Sequence, residues 1–505
     1  MLTDYLKRTL AARVYDVAIE SPLQIAPFLS ERLGNRIWIK REDLQPVYSF
    51  KLRGAYNKMV QLSEEEKALG VVTASAGNHA QGVALSAQKL GIKATIVMPR
   101  TTPDIKVKAV KARGAKVVLQ GDAFDEAFAY SQKLVEEKKM TYVHPYDDPD
   151  VIAGQGTVAM EILRQLSGPL DAVFIPVGGG GLIAGMAAYI KALRPEVKVI
   201  GVESTESPCL AAALAAKERV VLPQVGIFAD GVAVAQIGQN TWEVCKDYVD
   251  EVITCTPDEI CAAIKDIYDD MRAISEPAGA LALAGVKKYI EREGCENQNL
   301  VAVLSGANVN FDRLRYISEV AEIGEGREII LAVTIPEQPG SFQRFCSLIG
   351  KRPITEFNYR YSDDSSAQIY VGVKVGAEVG ARQALLDELA AEEYPVYDIT
   401  DDEMAKYHIR HMVGGHTPAN VTDEHVYRFE FPERPGALLN FLKKLGKQFN
   451  ISLFHYRNHG AAFGRVLVGL QVPQDKAELL EKTLQELGYQ YWNESQNMAY
   501  QLFLR

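Results

Sequence analysis

AVFIPVGGGGLIAGMAAYI, residues 172–190, is the stretch whose reading decides the fold. It is apolar for long enough to suggest a membrane span, but four successive glycines and Pro176 would leave a lone spanning helix poorly ordered. It divides instead into a buried strand, a loop of Gly178, Gly179, Gly180 and Gly181 with Leu182 after it, and a helix. Such a loop places backbone N–H groups at a helix N-terminus with no side chain in the way, which suits a phosphate. The G-x-G-x-x-G spacing of dinucleotide folds and the G-K-[ST] ending of a P-loop are both missing, so the spacing points to a phosphate without a second nucleotide half.

Outward from this stretch, short β-branched runs alternate with longer amphipathic segments from about residue 35 to 310, the pattern of β-α units and a parallel sheet. The expected strands are NRIWIK, GVVTA, KATIVMP, AKVVLQ, DAVFIPV, VKVIGVE and NLVAVLS. In AQGVALSAQKLG, Val83, Leu85 and Leu90 fall within an apolar helical face, and Gly91 supplies the stop. Thr256-Pro257 before DEICAAIKDIYDDM is a helix start with acidic residues in its first turn.

Ligands of such sheets gather at the strand C-terminal ends, and three further loops there carry chemistry. In S-F-K-L-R-G-A, Lys51 is able to form an imine with an aldehyde if burial lowers its pKa from about 10.4 toward neutrality; taken alone it also reads as a surface lysine beside a turn. In A-S-A-G-N-H-A-Q-G, a tight strand-to-helix turn explains the glycines but not the clustered Ser75, Asn78, His79 and Gln81. Its small residues, Ser75, Ala76 and Gly77, let the first amides of a helix hold a carboxylate. Asn78 adds an amide for a phenolic or imine centre, and His79 reads as structural rather than as a base. In L-S-G-A-N, Ser305 offers a neutral partner to a pyridine nitrogen, which makes the ring a milder electron sink and suits elimination; a plain strand-to-loop turn is its other reading.

After Asn310–Ile329 the alternation stops and two matching segments follow: AVTIPEQPGSFQRFCSLIG…FNYRYSD…YVGVKV, then RFEFPERPGALLNFLKKLG…FHYRNHG…LVGLQV. Pro336 and Pro432 lie 96 residues apart, and Tyr370 and Leu467 lie 97 apart. Each copy reads strand, P-G turn, helix, strand, strand, and neither holds a residue set for imine chemistry. The turns Pro339-Gly340 and Pro435-Gly436 each open a helix whose first amides suit a carboxylate, and Leu438, Leu439 and Leu442 are candidates to line an aliphatic pocket beside it. A packing or oligomerisation role is the plainer alternative. His408, His411 and His416 read as linker between the copies rather than metal ligands, since only two share a helical face and no thiolate or carboxylate set completes a site.

Bulk properties set the frame. At 505 residues the chain needs more than one core. With 55 Lys plus Arg against 65 Asp plus Glu, the net charge of −10 gives no footprint for nucleic acid or anionic membrane, so small molecules are the expected partners. Six cysteines without a C-x-x-C pair point to buried thiols in a reducing compartment. The N-terminus lacks the apolar stretch of a signal peptide, and a cytoplasmic location is expected.

Taken together and in this order, the four loops resemble the fold-type-II pyridoxal-phosphate (PLP) enzymes of the tryptophan-synthase β family. Within it the likeness is strongest to the biosynthetic threonine ammonia-lyases, carried by R-E-D-L-Q-P-V-Y-S-F-K-L-R-G-A from Arg41, A-S-A-G-N-H-A-Q-G, the tetraglycine, E-P-A-G-A from Glu276 and L-S-G-A-N-V-N, and it continues through the duplicated tail. The resemblance implies that Lys51 is the Schiff-base lysine, that Asn78 bonds the cofactor's ring oxygen, that Gly178 to Leu182 bind its phosphate and that Ser305 faces its pyridine nitrogen. It also implies that Ser75 to His79 meet the substrate, and it brings Glu276, otherwise an ordinary helix-opening carboxylate, near them.

The implied architecture is α/β: a catalytic region of two open-sheet subdomains over residues 1–325, then ACT-like α+β regulatory repeats at 326–420 and 421–505. The implied activity is deamination of threonine, with serine as a secondary substrate, in a homotetramer inhibited by isoleucine and relieved by valine. Lys51 would be both anchor and base, and the cofactor phosphate would protonate the leaving hydroxyl. A catabolic dehydratase or a serine racemase would keep the same four loops, but the duplicated tail favours the biosynthetic form. A non-catalytic amino-acid-binding regulator is disfavoured by intact Lys51, Asn78 and Ser305, and a dinucleotide enzyme by the glycine spacing.

Overall fold

A computed structural model describes residues 1–226, 228–311, 313–324, 327–360, 366–376, 380–402, 421, 423–432, 437–445, 449–457, 463–497, 500 and 504. The chain forms two compact units, Met1–Gly324 and Glu325–Arg505. His408, His411, His416 and the turn Pro435-Gly436 lie outside the described residues.

Among the described residues the first unit contains ten strands: β1 (Leu23–Ile25), β2 (Arg36–Arg41), β3 (Val71–Ala74), β4 (Ala94–Met98), β5 (Lys116–Leu119), β6 (Thr141–Tyr142), β7 (Ala172–Pro176), β8 (Lys198–Ser204), β9 (Glu251–Cys255) and β10 (Asn299–Leu304). They form two sheets, β1-β2-β10-β7-β8-β9 and β5-β4-β3-β6, in which every pairing except β1 with β2 is parallel. These are the two α/β subdomains. The large sheet is buried on both faces: Phe174, Ile200, Leu300 and Ala302 enter one core while Val173, Val199, Val301 and Val303 enter another. Burial on both faces is why these strands read as continuous apolar runs rather than alternating ones.

All seven expected strands are present. Three more, β1, β6 and β9, went unrecognised, and each is the outer strand of its sheet. The helix Asn78–Leu90 stops at Gly91, which takes φ 68°, but its apolar residues do not share one face. Val83 and Leu90 pack on the small-sheet core, whereas Leu85 packs with Val14, Val47 and Leu52, because the helix is covered on two sides. The start at Thr256 is a full capping box with Glu259. All six cysteines are free thiols, five of them buried and Cys295 partly so. Among the described residues, no helix is long and apolar enough to cross a membrane.

The second unit holds, among its described residues, one antiparallel sheet of eight strands. The first copy supplies β11 (Glu328–Pro336), β12 (Ile354–Arg360), β13 (Ser366–Lys374) and β14 (Val396–Asp398). The second supplies β15 (Glu424–Pro432), β16 (Asn450–Arg457), β17 (Phe463–Gln471) and β18 (Gln490–Asn493). Each copy thus has one strand and one helix (Ala381–Ala391, Ala477–Leu487) beyond its expected elements, giving the order βαββαβ. The sheet order, β14-β11-β13-β12-β16-β17-β15-β18, joins the copies edge to edge at β12 and β16. Asn358 pairs with His455 there, 97 residues on, the same separation as Tyr370 from Leu467. That pair therefore lies on the approximate two-fold axis relating the copies.

Candidate active site

Lys51 is the first residue of the helix Lys51–Val60. Its Nζ donates to the Pro145 carbonyl at 3.1 Å and lies 5.3 Å from the Phe50 ring centroid. Burial pushes the amine down from 10.5 to about 8, with Glu276 opposing. A lysine at that value is substantially neutral near pH 8, as a nucleophile or base must be. Two residues further on, fully buried Arg53 anchors the helix. Its Nε and Nη2 donate to the two oxygens of Glu42, each at 2.8 Å, and Nη1 and Nη2 donate to Glu161 at 2.6 and 3.0 Å. Lys40 donates to Glu161 at 2.7 Å, so two cations face two carboxylates with none of the four side chains exposed. Removing one partner would strand a buried charge at a cost of about 3–5 kcal/mol.

Asn78 is the first residue of its helix, after Gly77, and Ser75 to Asn78 are partly exposed. A Cβ at Gly77 would meet nothing within 4 Å, so the loop opens on free space. Beside it, His79 is buried and its Nε2–H donates to the Val143 carbonyl at 2.9 Å. Burial, then the charge on Lys51, drives the imidazole down to about 3. His79 is therefore neutral at physiological pH, and its carbonyl-bound tautomer leaves Nδ1 buried without a hydrogen-bond partner.

The tetraglycine loop tolerates no side chain. Gly180 has φ 92° and caps the helix Gly181–Leu193, and a Cβ on Gly179 would collide with the Tyr146 ring. The loop's carbonyls are tied down from outside: Thr241 Oγ1 donates to Gly179 O at 2.8 Å, Gly238 N to the same oxygen at 3.2 Å, and Cys209 Sγ to Gly178 O at 3.3 Å. Among the described residues, the N–H groups of Gly178 to Leu182 donate to nothing. Unused amides at a helix start, with carbonyls turned away, form an anion cradle.

Ser305 follows β10; it is buried, and its Oγ donates to the Ala278 carbonyl at 3.3 Å. Glu276 caps the helix Pro277–Glu293 and is buried. Its Oε1 accepts from Asn78 Nδ2 at 2.6 Å and its Oε2 from Asn308 N at 3.1 Å. Burial, then Asp230, pushes its carboxyl up to about 7, against the pull of Asn78, Lys106 and Asn308. Four helix N-termini, at Lys51, Asn78, Gly181 and Glu276, thus carry the site residues. Direct hydrogen bonds link Asn78 to Glu276, and backbone contacts link the Lys51 turn to the Ser305 loop.

Sequence reasoning did not single out Pro145, Tyr146, Asn308 or the Arg53 network. Arg53 and Glu42 stand inside the R-E-D-L to R-G-A motif and Asn308 inside L-S-G-A-N, so motif position was an available signal. Glu161 and Tyr146 had none, because they reach the site from distant sequence.

In the second unit, Gly340 has φ 94° and caps the helix Ser341–Ile349. A shallow recess open to solvent lies there, lined by Gln338, Pro339, Gly340 and Phe342 of the first copy and by Leu442 and Asn450, among others, of the second. Asn450 Nδ2 donates across to Glu337 Oε1 at 3.1 Å. Leu442 and Leu438 are both buried in the core, but Leu442 alone of the two also lines this recess, and Leu439 packs partly against the core.

Residues 14–306 match a family described as pyridoxal-phosphate dependent enzyme, and residues 319–409 and 415–504 each match the C-terminal regulatory domain of threonine dehydratase. The chain is 56% identical over 504 residues to a biosynthetic L-threonine dehydratase of Burkholderia multivorans, covering 99% of both. It is 54% identical over 501 residues to that of Escherichia coli strain K12, covering 99% of this chain and 97% of the relative. Among solved structures it is similar to processed threonine deaminase isoform 2 from Solanum lycopersicum, with 53% identity, a TM-score of 0.62, and coverage of 63% of this chain and 93% of that one. It is also similar to serine racemase from Dictyostelium discoideum, with 31% identity, a TM-score of 0.56, and coverage of 62% and 99%.

Proposed function

This chain belongs to the family of PLP-dependent biosynthetic threonine dehydratases, and from that premise we propose how its residues divide the work of converting L-threonine to 2-oxobutanoate and ammonia. The observation that carries the assignment is the lowered Lys51 amine together with the unused amide cradle of Gly178 to Leu182. These fit an aldehyde that also bears a phosphate. Lys51 is the anchor, Gly178, Gly179, Gly180, Gly181 and Leu182 hold the phosphate, Asn78 donates to the ring oxygen, and Ser305 faces the pyridine nitrogen as a neutral partner. Bound there, PLP supplies the electron sink for the pair left when the Cα proton departs.

The chain's own groups do the rest. The loop Ser75 to His79, partly exposed at Ser75 to Asn78 with His79 buried behind them, binds the substrate carboxylate at a helix N-terminus. Lys51, with its amine near neutrality, takes the Cα proton. His79, held neutral and tied to Val143, keeps the loop in place rather than moving a proton. Glu276 braces Asn78. Loss of water from threonine, followed by uptake of water, accounts for the keto acid and the ammonia.

We assign catalysis to residues 1–325 and control by an amino-acid effector to the repeats 326–420 and 421–505. For isoleucine as inhibitor and valine as its antagonist, the support is the recess at Pro339-Gly340, which combines helix-start amides for a carboxylate with Phe342 and Leu442 for an aliphatic side chain. A cytoplasmic homotetramer completes the reading, on the family resemblance alone.

Product analysis tests it, with threonine and serine offered separately, each with and without isoleucine. The expected result is 2-oxobutanoate from threonine, a slower keto acid from serine, and suppression of both by isoleucine. Racemised amino acid without keto acid would overturn it in favour of a racemase.

A further inference from the structure

The loop Ser305–Asn308 zips antiparallel onto the turn that delivers Lys51. Phe50 N donates to Ser305 O at 3.2 Å, Ser49 bridges Gly306, Ala307 N donates to Tyr48 O at 2.9 Å, and Asn308 Nδ2 donates to Val47 O at 2.8 Å. Tyr48 takes φ 57° within this zip, a conformation uncommon for a non-glycine residue. The last pair sets the position of Asn308.

From that position Asn308 Nδ2 donates a second time, to Asn78 Oδ1 at 2.7 Å. The Val47 end of this relay fixes the orientation of both amides. Val47 presents a carbonyl, which only accepts, so the Asn308 atom facing it must be nitrogen. The other hydrogen of that nitrogen meets Asn78, so the Asn78 atom there must be oxygen. At the far end, with the oxygen so placed, Asn78 Nδ2 donates to Glu276 Oε1 at 2.6 Å. One N–H of Asn78 is thereby committed to Glu276, and the other has no partner among the described residues. Rotation of the Asn78 amide would break both contacts at once.

We infer that Asn308 is a positioning residue that acts through Asn78, locking its amide so that the uncommitted N–H is a fixed donor to the cofactor's ring oxygen. This rests on the assignment of Asn78 to the cofactor. Asn308 touches neither substrate nor reacting atoms in this role, and its effect must vanish when Asn78 is removed.

A double-mutant cycle tests that dependence. PLP is titrated into cofactor-free protein carrying Asn78→Ala, Asn308→Asp, Asn308→Ala or the pairs, with affinity and the pH dependence of the bound cofactor's absorbance as readouts. Each Asn308 variant is expected to weaken binding about tenfold, the loss of one well-formed hydrogen bond, and to move the absorbance titration in the same direction as Asn78→Ala. In the Asn78→Ala background the further loss should fall below about twofold. An undiminished effect in that background, or no effect of either Asn308 variant beside a clear effect of Asn78→Ala, overturns the inference alone. No change on Asn78→Ala itself would overturn the assignment of Asn78 and the inference with it. The aspartate keeps the shape and loses the donors, while the alanine adds no charge, so misfolding of one variant leaves the other to decide.

Discussion

The two units solve different recognition problems with sheets of opposite character. In residues 1–324 all strands but β1 pair in parallel, so within each sheet the C-terminal strand ends, and the helix starts that follow them, lie on one side. Lys51, Asn78 and Gly181 open helices that follow β2, β3 and β7, and Glu276, which caps its helix, is tied by its N–H to the Gly306 carbonyl beyond β10, so helix starts with their partial positive charge are concentrated there. In the second unit the strands are antiparallel, their ends alternate, and the helices pack an aromatic and aliphatic core that includes Phe345, Phe357, Phe441 and Phe454. Its recess is framed by Pro339, Phe342 and Leu442 and is built from both copies. Parallel topology gathers helix starts on one side of a sheet, and duplication supplies a recess lined by residues of both copies.

The sharpest way to break this contrast is at Lys51. Lys51→Ala should lower threonine deamination on the order of 10²-fold or more, and borohydride should no longer fix the cofactor to the peptide containing residue 51. Label recovered on another lysine in the unaltered chain would remove Lys51 from the centre of the first unit.

The pH dependence follows from the same residue. Attachment of PLP to the cofactor-free protein needs a neutral amine, and burial lowers the Lys51 value from 10.5 to about 8. The attachment rate should therefore rise with pH and level off above about 8. A rate still climbing beyond pH 10 would mean an ordinary, solvated lysine.

For the second unit, Leu442→Phe should fill the recess and weaken isoleucine inhibition by roughly 5- to 150-fold, the range of ordinary allosteric coupling, with uninhibited turnover unchanged. Inhibition curves that superimpose would locate the effector elsewhere. Leu438→Phe makes the smaller, complementary case. Its side chain is core rather than recess, so overpacking should cost about 1–3 kcal/mol and appear as a lower melting temperature. A selective loss of inhibition without that drop would bring Leu438 into the site.

The strands that sequence reading passed over share one property. β1, β6, β9, β14 and β18 all lie at sheet edges. A central strand of a parallel sheet is covered on both faces and spells a continuous β-branched run, as NLVAVL and AVFIP do. β1, β6 and β14 are only two or three residues long, too short to spell such a run, whereas β5, also at an edge, spells KVVL and was expected. The helix Asn78–Leu90 taught a related lesson, since an apolar period reports that residues are buried without saying against what.

What the sequence by itself determined is local. A strand, a glycine loop and the helix after it are contiguous, so the four loops, their order and the duplication were legible from residue types and spacing. The tertiary structure alone decided which distant groups complete them. Glu161 neutralises Arg53 from 108 residues away, Tyr146 roofs the tetraglycine, and Asn308 and Glu276 fix an amide 230 and 198 residues earlier. It also decided that the recess of the second unit belongs to both copies, because β12 pairs with β16. Such partners are chosen by burial, where an unpaired charge or amide is costly and whatever the fold brings alongside must satisfy it.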